Sequence, residues 1–236
     1  MINGMLESSR GCMKEELRMD IISSNLSNST VVGFKKDRIS FQNILKKAKD
    51  SAGIPNVVIR PDMEQGDIRH TGYELDVAIH GKGFFKIETE NGVRYTRKGN
   101  FILDSKGTLT NQNGQPVLGQ SGPIKVTGNS LTIDQKGNIQ TDTGVIGQLD
   151  IVDFESYDGI IKEGKSFFRN VKDAQEKEID PQTAIKQGYV ELSNVNIAEE
   201  MINMIHSLRA FESYQKSMKV IDELNNRAIN QVGRLR

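Results

Sequence analysis

The sequence predicts a mixed α and β protein in which long N- and C-terminal helices form a coiled-coil-like layer and a central all-β domain is inserted between them. Three observations carry that expectation. All five prolines lie between Pro55 and Pro181, and eighteen of the 22 glycines lie between Gly53 and Gly188; both residue types punctuate turns and disfavour helix interiors. From Ile197 to Val232 apolar residues recur at steps of three and four, the period of one helix face. Between the ends, short β-forming runs alternate with turn signals and no ten-residue helical pattern intervenes, which argues against parallel βαβ units.

Taken in order, Ile2, Leu6, Met13, Leu17 and Ile21 recur at helical spacing at the N-terminus. The polar run Ser23-Ser24-Asn25 and Asn28-Ser29-Thr30 then supplies cap and turn residues before Gly33. Residues 1–45 are assigned, with 190–236, to a discontinuous helical domain, and 46–74 to a linker or extended segment. The central β domain is placed at 75–170 and a connecting segment at 171–189. Within the middle, Asn91-Gly92 separates runs at 84–89 and 93–97, the pairing expected of a type I′ hairpin. Asp104-Ser105-Lys106-Gly107, Asn113-Gly114, Lys136-Gly137-Asn138 and Thr143-Gly144 bound further runs at 76–79, 101–103, 124–126, 131–133 and 148–152. The C-terminal stripe reads Ile197, Met201, Met204, Leu208, Phe211, Tyr214, Met218, Ile221, Leu224, Ala228 and Val232. A helix of about 36 residues is ~50 Å long, longer than a small domain is wide. Its narrow seam calls for a partner helix, which the N-terminal end offers.

The 236 residues carry 31 Lys+Arg against 31 Asp+Glu, a formal net charge of zero. A general nucleic-acid binder needs a basic surface to meet phosphates, so nucleic acid is not an expected partner. Hydrophobic residues make up 36% and aromatics 6%, with no Trp, which is lean for an enzyme with a deep pocket. Cys12 is the only cysteine, so an intrachain disulfide is impossible. Lys14 and Arg18 stand near it, but a buried inert thiol is the expectation. No window approaches eighteen apolar residues, so no membrane insertion is expected. Glu7, Arg10, Lys14, Glu15 and Glu16 interrupt any apolar segment of a secretory signal.

Chemistry-bearing motifs are sparse. Gly81-Lys82-Gly83 resembles the start of a dinucleotide fingerprint, but Lys86 stands where the third glycine belongs and a turn between strands is the better reading. His206 sits in the C-terminal helix without a His or Cys at ligand spacing, and His70 and His80 share no helical or strand period. Asp150 and Asp153 are an odd number of residues apart, which sends them to opposite faces of a strand. No catalytic residue, cofactor-binding residue or metal ligand is expected, and no cofactor.

As a set, these residues are more specific. Ser24-Asn25-Leu26-Ser27-Asn28 followed by Gly33-Phe34-Lys35 resembles the N-terminal signature of the flagellar basal-body rod and hook family. That signature usually reads Asn-Asn-Leu-Ala-Asn and then Thr-Pro-Gly-Phe-Lys; here Ser27 replaces the Ala and Val31-Val32 stand in place of Thr-Pro. Leu75-Asp76-Val77-Ala78-Ile79, Gly81-Lys82-Gly83-Phe84-Phe85 and Tyr95-Thr96-Arg97-Lys98-Gly99-Asn100-Phe101 are similar to its central β motif. Gln187-Gly188-Tyr189-Val190-Glu191-Leu192-Ser193-Asn194-Val195, leading into Glu199-Glu200-Met201 and Leu208-Arg209-Ala210-Phe211-Glu212, resembles its C-terminal block.

The resemblance implies a structural subunit of the bacterial flagellar basal-body rod, polymerising helically to transmit torque. It implies export through the flagellar type III apparatus without a cleaved signal. The implied partners are further copies of the chain, other rod and hook-family subunits and the export apparatus. One modest β domain, with only Lys46 to Tyr73 before Glu74-Leu75-Asp76, points to the proximal part of the rod, with the distal part as the alternative. A cell-wall-acting carbohydrate enzyme and a secreted adhesin are the readings from other classes. The expected assembly interface comprises Leu6, Met13, Leu17, Ile21, Asn25, Leu26, Asn28, Gly33, Phe34, Met201, Met204, Leu208, Phe211, Met218 and Ile221.

Overall fold

The computed structural model describes residues 2–42, 56–128, 130–172 and 174–233. Helix α1 (Ile2–Ser27) and helix α2 (Ile197–Gly233) flank a β-rich middle. The chain divides into two units. The first contains α1, α2 and the strand Asp37–Gln42, which pairs with Asn56–Pro61; the second consists of Asn28–Lys36 and Pro61–Val195. The expected boundary at 45/46 and the start of the 46–74 segment fall on residues 43–55, outside the described residues. So do the side chains of Ile2 and Val232.

In the first unit, α2 runs 37 residues, about 55 Å at the α-helical rise. Asn196 caps it: its side-chain oxygen accepts the Glu199 N–H at 3.2 Å, and Glu199 and Glu200 put negative charge in the first turn, where the helix dipole favours it. Gly4 and Gly11 lie inside α1, each at a cost of about 1 kcal/mol relative to alanine. Both sit against α2. A Cβ on Gly11 would stand 2.6 Å from the Tyr214 ring, and one on Gly4 would stand 3.3 Å from Ile221 Cδ1. Seven residues forward on α1 thus correspond to seven back on α2, so the two helices run antiparallel.

This packing corrects the expected coiled-coil-like layer. The mixed α and β character holds, but the described residues contain two α-helices of unequal length and no coiled-coil layer. The buried positions in the first half of α1 are Ser8, Gly11, Cys12 and Glu15, small or polar side chains at helical spacing, and Ile21, Ile22 and Asn25 are buried further along. Leu6 and Met13, expected on the seam, are 44% and 56% exposed. The reason is steric. A large ring over a glycine brings the backbones closer than two rows of Leu and Met allow, and Leu6 and Met13 lie two residues, roughly 200° of rotation, past Gly4 and Gly11.

The second unit is built on a six-stranded antiparallel sheet in the order Ile160–Glu163, Phe167–Asn170, Gly92–Thr96, Phe84–Thr89, Ile151–Phe154, Glu176–Glu178. Successive side chains on a strand point to opposite faces, and this explains the Phe84-Phe85 pair. Phe85 joins Val77, Ile79, Ile87 and Phe101 in one buried cluster, while Phe84 joins Tyr95, Val152, Phe154 and Phe168 in the other. Val77–His80 pairs with Ala184–Gln187, and Ile68–His70 with Tyr189–Glu191, so residues 171–189 contribute strands to this unit. A three-stranded sheet of Leu131–Ile133, Asn138–Thr141 and Gly144–Gln148 completes the main pairings.

One turn device recurs three times. Asp104, Asn111 and Asp134 each accept, on one side-chain oxygen, the backbone N–H groups two and four residues on, at 2.7–3.0 Å. The residue three on is a glycine at φ 74°, 79° or 83°, a region that favours glycine. Two expectations shift. Thr89 pairs with Gly92, so the hairpin loop is Glu90-Asn91 and not Asn91-Gly92. Residues 124–126 form no strand; Lys125 makes an isolated bridge to Thr108, because the chain there follows the 107–109 turn only briefly.

Candidate functional site

The expected interface residues divide into two groups. On the helices, Leu6, Met13, Met201 and Leu208 are 44%, 56%, 55% and 47% exposed, and Ile197, Ile202 and Ile205 stand out beside them. Leu17, Leu26, Met204, Phe211, Met218 and Ile221 are half-buried, and Ile21 is buried. These side chains leave apolar surface open on both helices.

The other group is turned inward. Asn25 makes a two-way amide contact with Asp37, donating to its carbonyl at 3.0 Å and accepting its N–H at 2.9 Å. Asn28 is buried in the turn after α1, where Val31 N–H donates to its carbonyl at 3.1 Å. Gly33 adopts φ 69°, and a Cβ there would stand 2.5 Å from the Arg97 carbonyl carbon. Its N–H donates to the Glu191 carbonyl at 2.8 Å. Phe34 is 2% exposed, with the Lys162 ammonium 3.7 Å from its ring centroid.

The three motif blocks meet at one buried ionic cluster that the sequence reading did not anticipate. Lys35 Nζ donates to Glu191 Oε1 and to the Glu64 carbonyl, both at 2.6 Å. Arg97 Nη1 donates to Glu191 Oε2 at 3.1 Å, and the Gly66 N–H to Oε1 at 3.1 Å. The exposures of Lys35, Arg97 and Glu191 are 1%, 3% and 1%. Burial pulls the Lys35 ammonium below the usual lysine range, the Glu191 carboxylate opposes this, and Arg97 adds to it. Asn194 flanks the cluster: its side chain accepts the Lys36 N–H at 2.7 Å and donates to the Asp62 carbonyl at 2.9 Å. The signal in the sequence was a charge between apolar neighbours, as in Val190-Glu191-Leu192 and next to Phe34. On a half-exposed strand such a residue points to water, and only the tertiary fold turns it inward.

Elsewhere among the described residues several charged groups are paired. Lys86 bridges Asp150 at 3.0 Å and Glu176 at 2.7 Å, while Asp153 accepts the Tyr157 hydroxyl at 2.6 Å and meets Lys177 at 3.2 Å. Asp150 and Asp153 therefore serve different partners. Burial and the Glu176 carboxylate raise the Tyr95 hydroxyl, and burial and Asp153 raise that of Tyr157. Burial pushes the Cys12 thiol up, and Glu16 adds to it, so Lys14 and Arg18 do not activate it. His206 and His80 are exposed, and His70 packs edge-on against Tyr189 at 4.8 Å. Among the described residues no group of three or more His, Cys, Asp or Glu side chains is placed to hold a metal. Among the described residues no helix is long and apolar enough to cross a membrane.

Residues 78–143 match the family model described as the flagellar hook protein FlgE/F/G D1 domain, and 186–231 match that of the flagellar basal body rod FlgEFG protein C-terminal. The chain is similar to the flagellar basal-body rod protein FlgG of Bacillus subtilis (strain 168), 32% identical over 98% of this chain and 99% of the relative. The FlgG of Buchnera aphidicola subsp. Schizaphis graminum is 31% identical over 95% and 97%. The flagellar basal-body rod protein FlgF of Caulobacter vibrioides is 30% identical over 92% of each.

Proposed function

The chain belongs to the flagellar basal-body rod protein family, in the FlgF and FlgG group, and from that premise we propose that it is the proximal rod subunit, polymerising helically through its terminal helices to transmit torque. As a structural subunit of the basal-body rod, it assembles with other rod and hook-family subunits. The proposal extends to export through the flagellar type III apparatus and to a role without catalysis. The observation that carries the assembly reading is the open apolar surface of Leu6, Met13, Met201 and Leu208. Burying each such side chain against a neighbour stabilises by ~1.5–3 kcal/mol. A non-closing interface of this kind, one patch meeting a different patch on the next copy, builds a helical polymer.

Support for the proximal position comes from length. The alignments with the two FlgG relatives extend over 257 and 263 positions, more than the 236 residues of this chain, whereas that with FlgF extends over 227. Those FlgG relatives therefore carry residues that have no counterpart here. The distal reading is favoured by the FlgG identities of 31% and 32%. Electron microscopy of basal bodies from a deletion strain, with a swimming assay, separates the two. A rod that stops before its distal segment supports the proximal assignment, and one that reaches its distal segment without a hook moves it outward. Intact basal bodies in swimming cells would overturn the reading.

A further inference from the structure

The ionic cluster joins residues 156 positions apart, Lys35 and Glu191, and it contains two cations for one anion, all at least nine-tenths buried. Asn28–Lys36 belongs to the β-rich unit although α1, directly before it, does not. Asp62 and Glu64 anchor this short segment from the start of that unit, Asp62 N–H donating to the Lys36 carbonyl at 2.8 Å and Lys35 to the Glu64 carbonyl, and further polar anchors come from late in the chain. Gly33 N–H reaches the Glu191 carbonyl, Lys35 the Glu191 carboxylate, and Lys36 N–H the Asn194 side chain, while Lys162 Nζ donates to the Lys35 carbonyl at 2.6 Å.

We infer that the Lys35–Glu191–Arg97 cluster is a completeness latch: the segment after α1 docks only once the C-terminal strand has delivered Glu191. The argument is electrostatic. Without the carboxylate, docking Phe34-Lys35 would bury an ammonium beside a guanidinium, with the Glu64 carbonyl as the remaining acceptor for Lys35. Arg97 would be worse placed, since its Nε already lacks a hydrogen-bond partner among the described residues. Two like charges buried together without an anion are far costlier than the same groups left in water. The other charged groups close by do not replace Glu191. Lys162 adds a third cation over Phe34, and the buried Asp62 faces Lys36 at 3.9 Å and favours the Lys35 charge less than Glu191 does. The six-stranded sheet draws on neither Lys35 nor Glu191 for its pairings, so the latch opens without the core. The inference concerns this chain's own two ends and does not depend on the assembly reading.

The test is native-state amide exchange on the full chain. In Glu191→Gln, which keeps the shape and removes the charge, exchange at Gly33, Lys36 and Asp62 should accelerate ~100-fold, while amides of the 84–89 and 92–96 strands keep their rates. In Lys35→Met/Glu191→Gln, which deletes one cation together with the anion, protection at the three probes should recover at least ~10-fold relative to Glu191→Gln. Unchanged rates at the probes in Glu191→Gln would overturn the latch. Uniform loss of protection through both strands would overturn it as well, by showing that the segment and the core open together. A double variant no better protected than the single one would remove the like-charge argument.

Discussion

The two units of this chain bury their side chains by opposite rules. In the β-rich unit the large apolar residues are inside, with Phe84, Phe85, Phe154 and Phe168 all at 2% exposure or less, and even the charged motif residues Lys35, Arg97 and Glu191 are enclosed and paired. In the helical unit most of the buried positions are small or polar, Ser8, Gly11, Cys12, Glu15, Glu200 and Ser207, with Ile21 and Ile22 beside them, while Leu6, Met13, Met201 and Leu208 stand outside. The difference teaches where each unit finds its stability. A sheet with two filled faces closes its own core. A pair of helices in contact along a glycine line leaves part of its apolar surface open.

The comparison is broken most completely at Leu208. Leu208→Asp puts a charge on the open face, so assembly should be lost and basal bodies should lack a complete rod. The isolated chain should keep its stability to within ~0.5 kcal/mol in denaturant unfolding, because the site is exposed. Normal swimming by this strain would place the assembly surface elsewhere.

In the β-rich unit the matching substitution is Phe85→Ala, at a side chain with 0% exposure packed edge-on against Phe101 at 5.2 Å. It should cost about 3–5 kcal/mol in denaturant unfolding of that unit. Gly11→Ala sharpens the helical side of the contrast. Despite the better helix propensity of alanine, the new methyl would press on Tyr214, and the helix pair should lose ~1–3 kcal/mol. Adding Tyr214→Ala should recover part of that loss in a double-mutant cycle; strict additivity would mean that the ring does not sit over the glycine.

The smallest effect is acid sensitivity of the β-rich unit. Burial opposes ionisation of Asp153, but the Tyr157 hydroxyl, the Phe154 N–H and Lys177 hold its carboxyl below the usual carboxylate range. Lys86 and Tyr95 do the same for Glu176 against its own burial. A depressed carboxylate contributes stability above its unfolded value, roughly pH 4, and that contribution is lost as pH falls through the folded value. Stability of this unit should therefore decline below about pH 4. Tyr157→Phe should shrink that decline by ~0.5–1.5 kcal/mol, read from unfolding curves at several pH values.

What the sequence determined by itself was whatever rests on local chemistry. The C-terminal helix was readable over 197–232 because a 3.6-residue period and the absence of Pro are properties of a short window, and it is observed at Ile197–Gly233. The turns at Asp104, Asn113-Gly114 and Lys136-Gly137 were readable because an Asx side chain bonds its own backbone a few residues on. Three motif blocks pointed to the flagellar family, and the relatives agree.

Only the tertiary structure decided the pairing and the facing. The hairpin loop moved by one residue because register belongs to two strands at once. Leu6 and Met13 of the apolar stripe turned away from the packed face of α1 because the approach distance is set jointly by Gly11 and Tyr214, residues on separate helices. The cluster of Lys35, Arg97 and Glu191 was invisible in three separate motifs, since a charged side chain declares itself buried only when the partner that neutralises it arrives through space.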